Sequence, residues 1–115
     1  MAPRDPRRFD DLFRDFGSIA LRRLFSGEGI YARGTIIGIV VRDIVYLKTD
    51  EESRAFFKAE GCKPFHFRKD GKRIASSYYA IPDRLYDDPA ELAQWACRAQ
   101  AVAPVNAKRV GKKRR

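Results

Sequence analysis

LRRLFSGEGIYARGTIIGIVVRDIVYLK, Leu21 to Lys48, is the stretch on which the fold turns. It holds the densest run of β-branched and aromatic residues in the chain, and turn signals cut it into hairpin-sized pieces. Ile19 to Phe25 reads as extended. Ser26-Gly27-Glu28-Gly29 interrupts it as a bulge or sharp bend, and Ile30-Tyr31-Ala32 resumes the strand. Arg33-Gly34 turns the chain into a second strand, Thr35 to Val41, and Arg42-Asp43 turns it into a third, Ile44 to Lys48. A two-residue loop at Arg42-Asp43 sets Val40 against Val45 and Gly38 against Leu47. It sends Ile37, Ile39, Val41, Ile44 and Tyr46 to the opposite side. Both sides are then apolar, so both call for cover, from helices or from a second copy. Ile37, Ile39, Val41 and Tyr46 are the candidate dimer face.

Working outward, Asp5-Pro6 opens a helix over about residues 6–16. Phe9, Leu12, Phe13 and Phe16 form its apolar stripe, and Gly17 stops it. After the three strands, Thr49 with Glu52 fits a capping box. A short helix follows with Ala55, Phe56 and Ala59 inward and Gly61 as its stop. Pro64 to Arg68 and Ile74 to Ile81 pair through Asp70-Gly71, the strongest hairpin signal in the chain. Asp88-Pro89 opens a final helix striped by Leu92, Trp95, Ala96, Ala99, Val102 and Ala103. The order is α-β(3)-α-β(2)-α: a single α+β domain over residues 6–103 with an antiparallel sheet and flanking helices. A basic arm, 1–5, precedes it, and a flexible basic tail, 104–115, follows.

At 115 residues the chain has the length of one domain. No apolar run reaches the ~18–20 residues of a membrane span, and no apolar core follows the charged N-terminus as a secretory signal requires. Two cysteines, Cys62 and Cys97, make no disulfide framework, which points to a reduced, cytoplasmic protein. The net charge is +9. It is uneven: Lys108, Arg109, Lys112, Lys113, Arg114 and Arg115 put six positive charges in the tail, while residues 9–105 are nearly neutral. A basic arm attracts phosphate without reading sequence.

The chemistry-bearing residues do not assemble into a catalytic or metal motif. His66 is the only histidine, with Cys62 four residues before it, short of the three or four ligands of a zinc site. No nucleophile, base and orienting group stand together. Gly27, Gly29 and Gly34 lie between strands, not between a strand and a helix as a dinucleotide fingerprint requires. No cofactor is expected, and no enzyme. Tyr31, Tyr78 and Tyr79 read as packing residues, with base stacking as the other use of such rings. The Asp-Gly hairpin sets Lys69 against Lys72 and Arg68 against Arg73, like charges opposed. With Arg22-Arg23 and the tail, they are the candidate contacts for an acidic partner, nucleic-acid phosphate or an acidic protein surface.

Several segments, taken in order, are similar to a known family: RRLFSGEGIYARG, IVYLKTDEESRAFF, GCKPFHF and SSYYAIPDRLYDDPAELAQWACRA. Over residues 9–103 the chain resembles the N-terminal domain of the TfoX/Sxy family, with Leu24 and Ser26 where that family prefers Met and Gly. The resemblance implies a small α+β domain of the same order. It also implies a non-enzymatic interaction module in competence and transcription regulation, working through a protein partner. The module is expected to pair as a homodimer through the apolar sheet face; a direct low-specificity nucleic-acid binder using the basic tail and hairpin, and a small ligand-binding domain or enzyme, are the other readings.

Overall fold

In a computed structural model of the chain, residues 9–24 and 27–102 are described. Six strands form one antiparallel sheet: β1 (Ala20–Leu24), β2 (Gly27–Ala32), β3 (Thr35–Val41), β4 (Ile44–Lys48), β5 (Pro64–Lys69) and β6 (Lys72–Ala80). The strand order is β1-β2-β3-β4-β6-β5. Two helices, α1 (Glu51–Ala59) and α2 (Pro89–Ala101), complete an α+β domain, with a 3-10 turn at Asp83–Asp87 between β6 and α2. Neither helix is long and apolar enough to cross a membrane.

Three hairpins share one turn chemistry. Arg33-Gly34, Arg42-Asp43 and Asp70-Gly71 all have positive φ at both positions, the type I′ geometry that matches strand twist. The expected registers hold: Val40 pairs with Val45, Gly38 with Leu47, Arg68 with Arg73 and Lys69 with Lys72. The reading of residues 19–32 as one interrupted strand does not. The chain folds back between Leu24 and Gly27 to make β1 and β2 a hairpin, so four strands precede α1 instead of three. Phe25 and Ser26, between them, lie outside the described residues. Gly27 is needed at this point because a Cβ there would stand 2.2 Å from the Val40 carbonyl oxygen of β3.

A β-bulge moves another side chain. The β2–β3 register shifts between Ile30 and Tyr31, leaving Ile37 without a partner on β2. Alternation is broken there. Ile37 is fully buried in the same core as Val40, Val45 and Leu47, whereas Ile39 and Val41 stay outside that core. The strict two-residue period that grouped Ile37 with Ile39 fails at this bulge.

The helix layer lies on the Val40 side. Leu92, Ala96 and Ala99 of α2 are buried there, beside Phe57 of α1. Asp88 caps α2 by accepting from the Glu91 N–H at 3.1 Å. On α1 the cap is Asp50 with Ser53, not Thr49 with Glu52: the Ser53 N–H donates to Asp50 Oδ1 at 2.7 Å, and the Asp50 N–H to Ser53 Oγ at 3.0 Å. That one-residue shift rotates the helix. Ser53 and Phe57 face inward, while Ala55, Phe56 and Ala59 are exposed. Gly61, at φ 78, ends it as expected.

The first predicted helix is a succession of turns over residues 9–16; residues 6–8 lie outside the described residues. The Phe13 N–H donates to the Phe9 carbonyl, then the Phe16 and Gly17 N–H groups both donate to Phe13. Three aspartates in so short a stretch compete for backbone donors, and an isolated helix shorter than about 12 residues is marginal. The apolar stripe still does its work: Phe9, Leu12 and Phe13 join the core and Phe16 packs on it.

Candidate functional site

The opposite side of the sheet has no helix on it among the described residues, yet Ile39 and Val41 are 4% and 8% exposed. Glycine explains the first of these. The register lines up Arg22, Gly29, Ile39, Tyr46 and Ala80 across five strands. A Cβ on Gly29 would meet the Tyr31 ring at 2.8 Å, Leu24 at 3.1 Å and Ile36 at 3.3 Å. The missing side chain lets those three close over the sheet. Further along the row, Tyr46 and Phe65 meet edge to face, centroids 5.4 Å apart. Side chains thus tile the face where helices would otherwise lie.

The tiling stops between the β3–β4 and β5–β6 hairpins. A groove of about 700 Å³ opens there, lined by Val41, Ile44, Tyr46, Phe65 and Phe67, with Arg42, His66, Arg68 and Arg73 beside them. Ile44 and Phe67 are 41% and 40% exposed, two of the three large hydrophobic side chains most open to water among the described residues. None of the residues lining the groove carries a carboxylate. The arrangement offers an apolar, aromatic floor in a positive field, suited to holding an acidic molecule that also brings apolar surface.

The structure brings some of the sequence candidates together and separates others. Arg68 and Arg73 line the groove, and Lys69 and Lys72 stand exposed at the tip beyond it. Arg22 and Arg23 lie on β1, at the far edge of the sheet from β5. At about 4.8 Å per strand that is ~24 Å away. Arg22 is over the Tyr31 ring, 5.3 Å from its centroid, and Arg23 lies on the other side, in register with Glu28. Lys108, Arg109, Lys112, Lys113, Arg114 and Arg115 lie outside the described residues. Of the candidate dimer face, Ile37 is in the helix-side core, Ile39 and Val41 are beneath the tiling, and Tyr46 is half-buried.

Among the groove residues not singled out as partner contacts from sequence, Arg42, Ile44 and Phe67 are the exposed ones. Their signal was present in the two type I′ turns, because a hairpin end projects beyond the layer that covers the middle of a strand. Tyr79 is core, while Tyr31 and Tyr78 are half-buried on the tiled face. Burial raises the Tyr78 hydroxyl pKa, and nearby Tyr31 adds to the shift. Burial likewise pushes the Cys62 thiol up, with Glu60 and Asp83 adding to it, which disfavours the nucleophilic thiolate. No three of His, Cys, Asp or Glu gather as a metal site among the described residues.

A family model described as the TfoX N-terminal domain matches residues 11–103. No curated protein matches the chain.

Proposed function

The chain belongs to the TfoX N-terminal domain family, and from that premise we propose that it is a non-enzymatic interaction module in transcription regulation, docking an acidic protein surface in the groove between its β3–β4 and β5–β6 hairpins. One observation carries the reading: exposed Ile44 and Phe67 share a groove with Arg42, Arg68 and Arg73, and no carboxylate lines it. A structural hairpin would gain from a Glu opposite Lys69, whereas this one opposes like charges twice. Charge also selects among occupants. A second copy would bring the same arginines to the contact, and the two positive fields would oppose each other. An acidic partner meets no such cost, and the open apolar floor favours protein over bare phosphate. The two free thiols fit a reducing, cytoplasmic setting.

The test is amide chemical-shift mapping with two probes of equal charge, a Glu-rich peptide carrying Leu and Phe, and a single-stranded oligonucleotide. The peptide is expected to shift the Ile44 and Phe67 amides. Two variants, Arg42/Arg68/Arg73→Gln and Ile44/Phe67→Ser, are each expected to abolish that response. A response to the oligonucleotide alone moves the reading to nucleic acid, and no response at the groove to either probe removes it.

A further inference from the structure

β5 is an edge strand, with β6 as its one neighbour in the sheet among the described residues. Which of its backbone groups are open follows from both of its ends. Just before it, the Ala80 N–H donates to the Lys63 carbonyl at 3.0 Å, so Lys63 faces β6. At the far end, a β-turn closes on a hydrogen bond from the N–H of its fourth residue to the carbonyl of its first, so Lys69 faces β6 across Asp70-Gly71. Bonded and non-bonded positions alternate along an antiparallel strand. Both ends therefore give one phase, and the bulge between Pro64 and His66 leaves it intact. Phe65 and Phe67 bond toward β6, while Pro64, His66 and Arg68 present their backbone groups away from the sheet. Proline, with no N–H for a ladder, occupies an outward position of an edge strand, where it is tolerated. The open N–H groups are those of His66 and Arg68.

The same stretch lines the groove between the β3–β4 and β5–β6 hairpins. A groove seated on one face of a strand takes alternate residues. This one takes Pro64 to Arg68 without a gap, so it runs along the β5 edge. Phe67 and Arg68 are exposed, and Phe65 and His66 are half-buried. A strand laid against this edge, about 4.8 Å away, sets its side chains alternately beside Phe65 and Phe67 and beside His66 and Arg68. Apolar residues suit the first set and carboxylates the second. A second copy is a poor occupant. The two edge strands, β1 and β5, carry Arg22, Arg23, Arg68 and Lys69, and like charges on facing strands oppose pairing.

We infer that the acidic partner docks by strand addition. An extended segment that alternates Glu or Asp with large apolar residues joins β5 at the sheet edge and bonds to the His66 and Arg68 backbone. Main-chain hydrogen bonds supply the affinity, and the alternating side chains supply the selectivity. The inference rests on the docking function proposed for this groove and adds the backbone conformation and the sequence pattern of the partner.

The test modifies the peptide and leaves the full-length protein untouched, so folding of a variant does not enter. Peptides of one sequence, Glu alternating with Leu and Phe, are offered unmodified and with N-methyl groups on alternate backbone amides in either of the two phases. Each methylated peptide can bond along one edge only. The unmodified peptide is expected to slow hydrogen exchange of the His66 and Arg68 amides, and the two methylated peptides to differ in Kd by roughly tenfold or more, because one phase loses its main-chain hydrogen bonds to β5. Equal binding of the two methylated peptides, or unchanged exchange at His66 and Arg68, overturns strand addition. If the unmodified peptide still shifts the Ile44 and Phe67 amides in that case, the groove remains the docking surface. No response at the groove to any of the peptides overturns both readings.

Discussion

The two sides of this sheet are built from the same strands and solve the same problem differently. On one side Val40, Val45 and Leu47 are fully buried under two helices and the N-terminal turns. On the other, Ile39 and Val41 are almost as well buried with no helix over them among the described residues, and at Ile39 the cause is Gly29, which lets neighbouring side chains close down. The difference lies in what remains outside. The helix side leaves a groove between α1 and α2 whose lining includes Phe56 and the ion-paired Arg84, Glu60, Glu91 and Arg98, and the tiled side leaves apolar residues at the hairpin ends. A tiled face can spare its outermost side chains without losing a layer, so stability and docking need not compete there.

The sharpest way to break that comparison is to truncate one residue on each side. Leu92 is fully buried beneath α2, and Leu92→Ala should cost about 2–5 kcal/mol through lost transfer energy and the cavity left behind. Ile44→Ser and Phe67→Ser should stay within about 0.5 kcal/mol, as surface changes do. Urea denaturation checks all three. A loss above 2 kcal/mol from either serine variant would show that the tiled side carries stability in its exposed rim as well.

A smaller effect tests how the helix layer is fastened. Asp50 caps α1, and its carboxyl is held below the usual range first by the Ser53 N–H, then by the Ser53 hydroxyl and Arg98. Asp50→Ala should cost about 1 kcal/mol. The sign of the pH dependence follows from that direction. A carboxyl lowered in the folded state contributes stability above its unfolded pKa of about 3.9 and loses it as pH falls through the lower folded value. The gap between native and Asp50→Ala should therefore be constant from pH 7 to 5 and close below about pH 4. A gap that persisted at pH 2 would assign the effect to packing.

Much of the tiled side was legible in the sequence, and the reasons are local. Arg42-Asp43 and Asp70-Gly71 select type I′ turns, and a two-residue loop fixes register for the whole hairpin. That is why the opposition of Arg68 to Arg73 could be read from spacing. Errors came where non-local contacts decide. Gly27 serves a close approach to β3 that no window of β1–β2 reveals. The bulge at Ile37 depends on a partner strand and breaks a period that looks perfect along the chain. On α1, Asp50 and Ser53 displaced the Thr49 and Glu52 pairing by one residue, and Phe56 moved from core to groove wall. The hairpin groove needed β3–β4 and β5–β6 to come side by side, which follows from β6 inserting between β4 and β5.

The smallest expected effect separates the two demands on the hairpin tip. Lys72→Glu places an opposite charge against Lys69 in an exposed cross-strand pair, worth about 0.2–1 kcal/mol of added stability. Both side chains are in water, so the gain should shrink as salt rises through a Debye length of about 10 Å at 0.1 M. The same substitution puts a carboxylate beside the Arg68 and Arg73 rim and should weaken binding of the acidic peptide at low salt. Denaturation and peptide titration at 20 mM and 500 mM salt read both quantities from one variant. Higher stability together with weaker binding means that the opposed lysines cost the fold something that only a partner recovers. Higher stability with unchanged binding would restrict the docking surface to Arg42, Arg68 and Arg73 and leave the tip as a soluble turn.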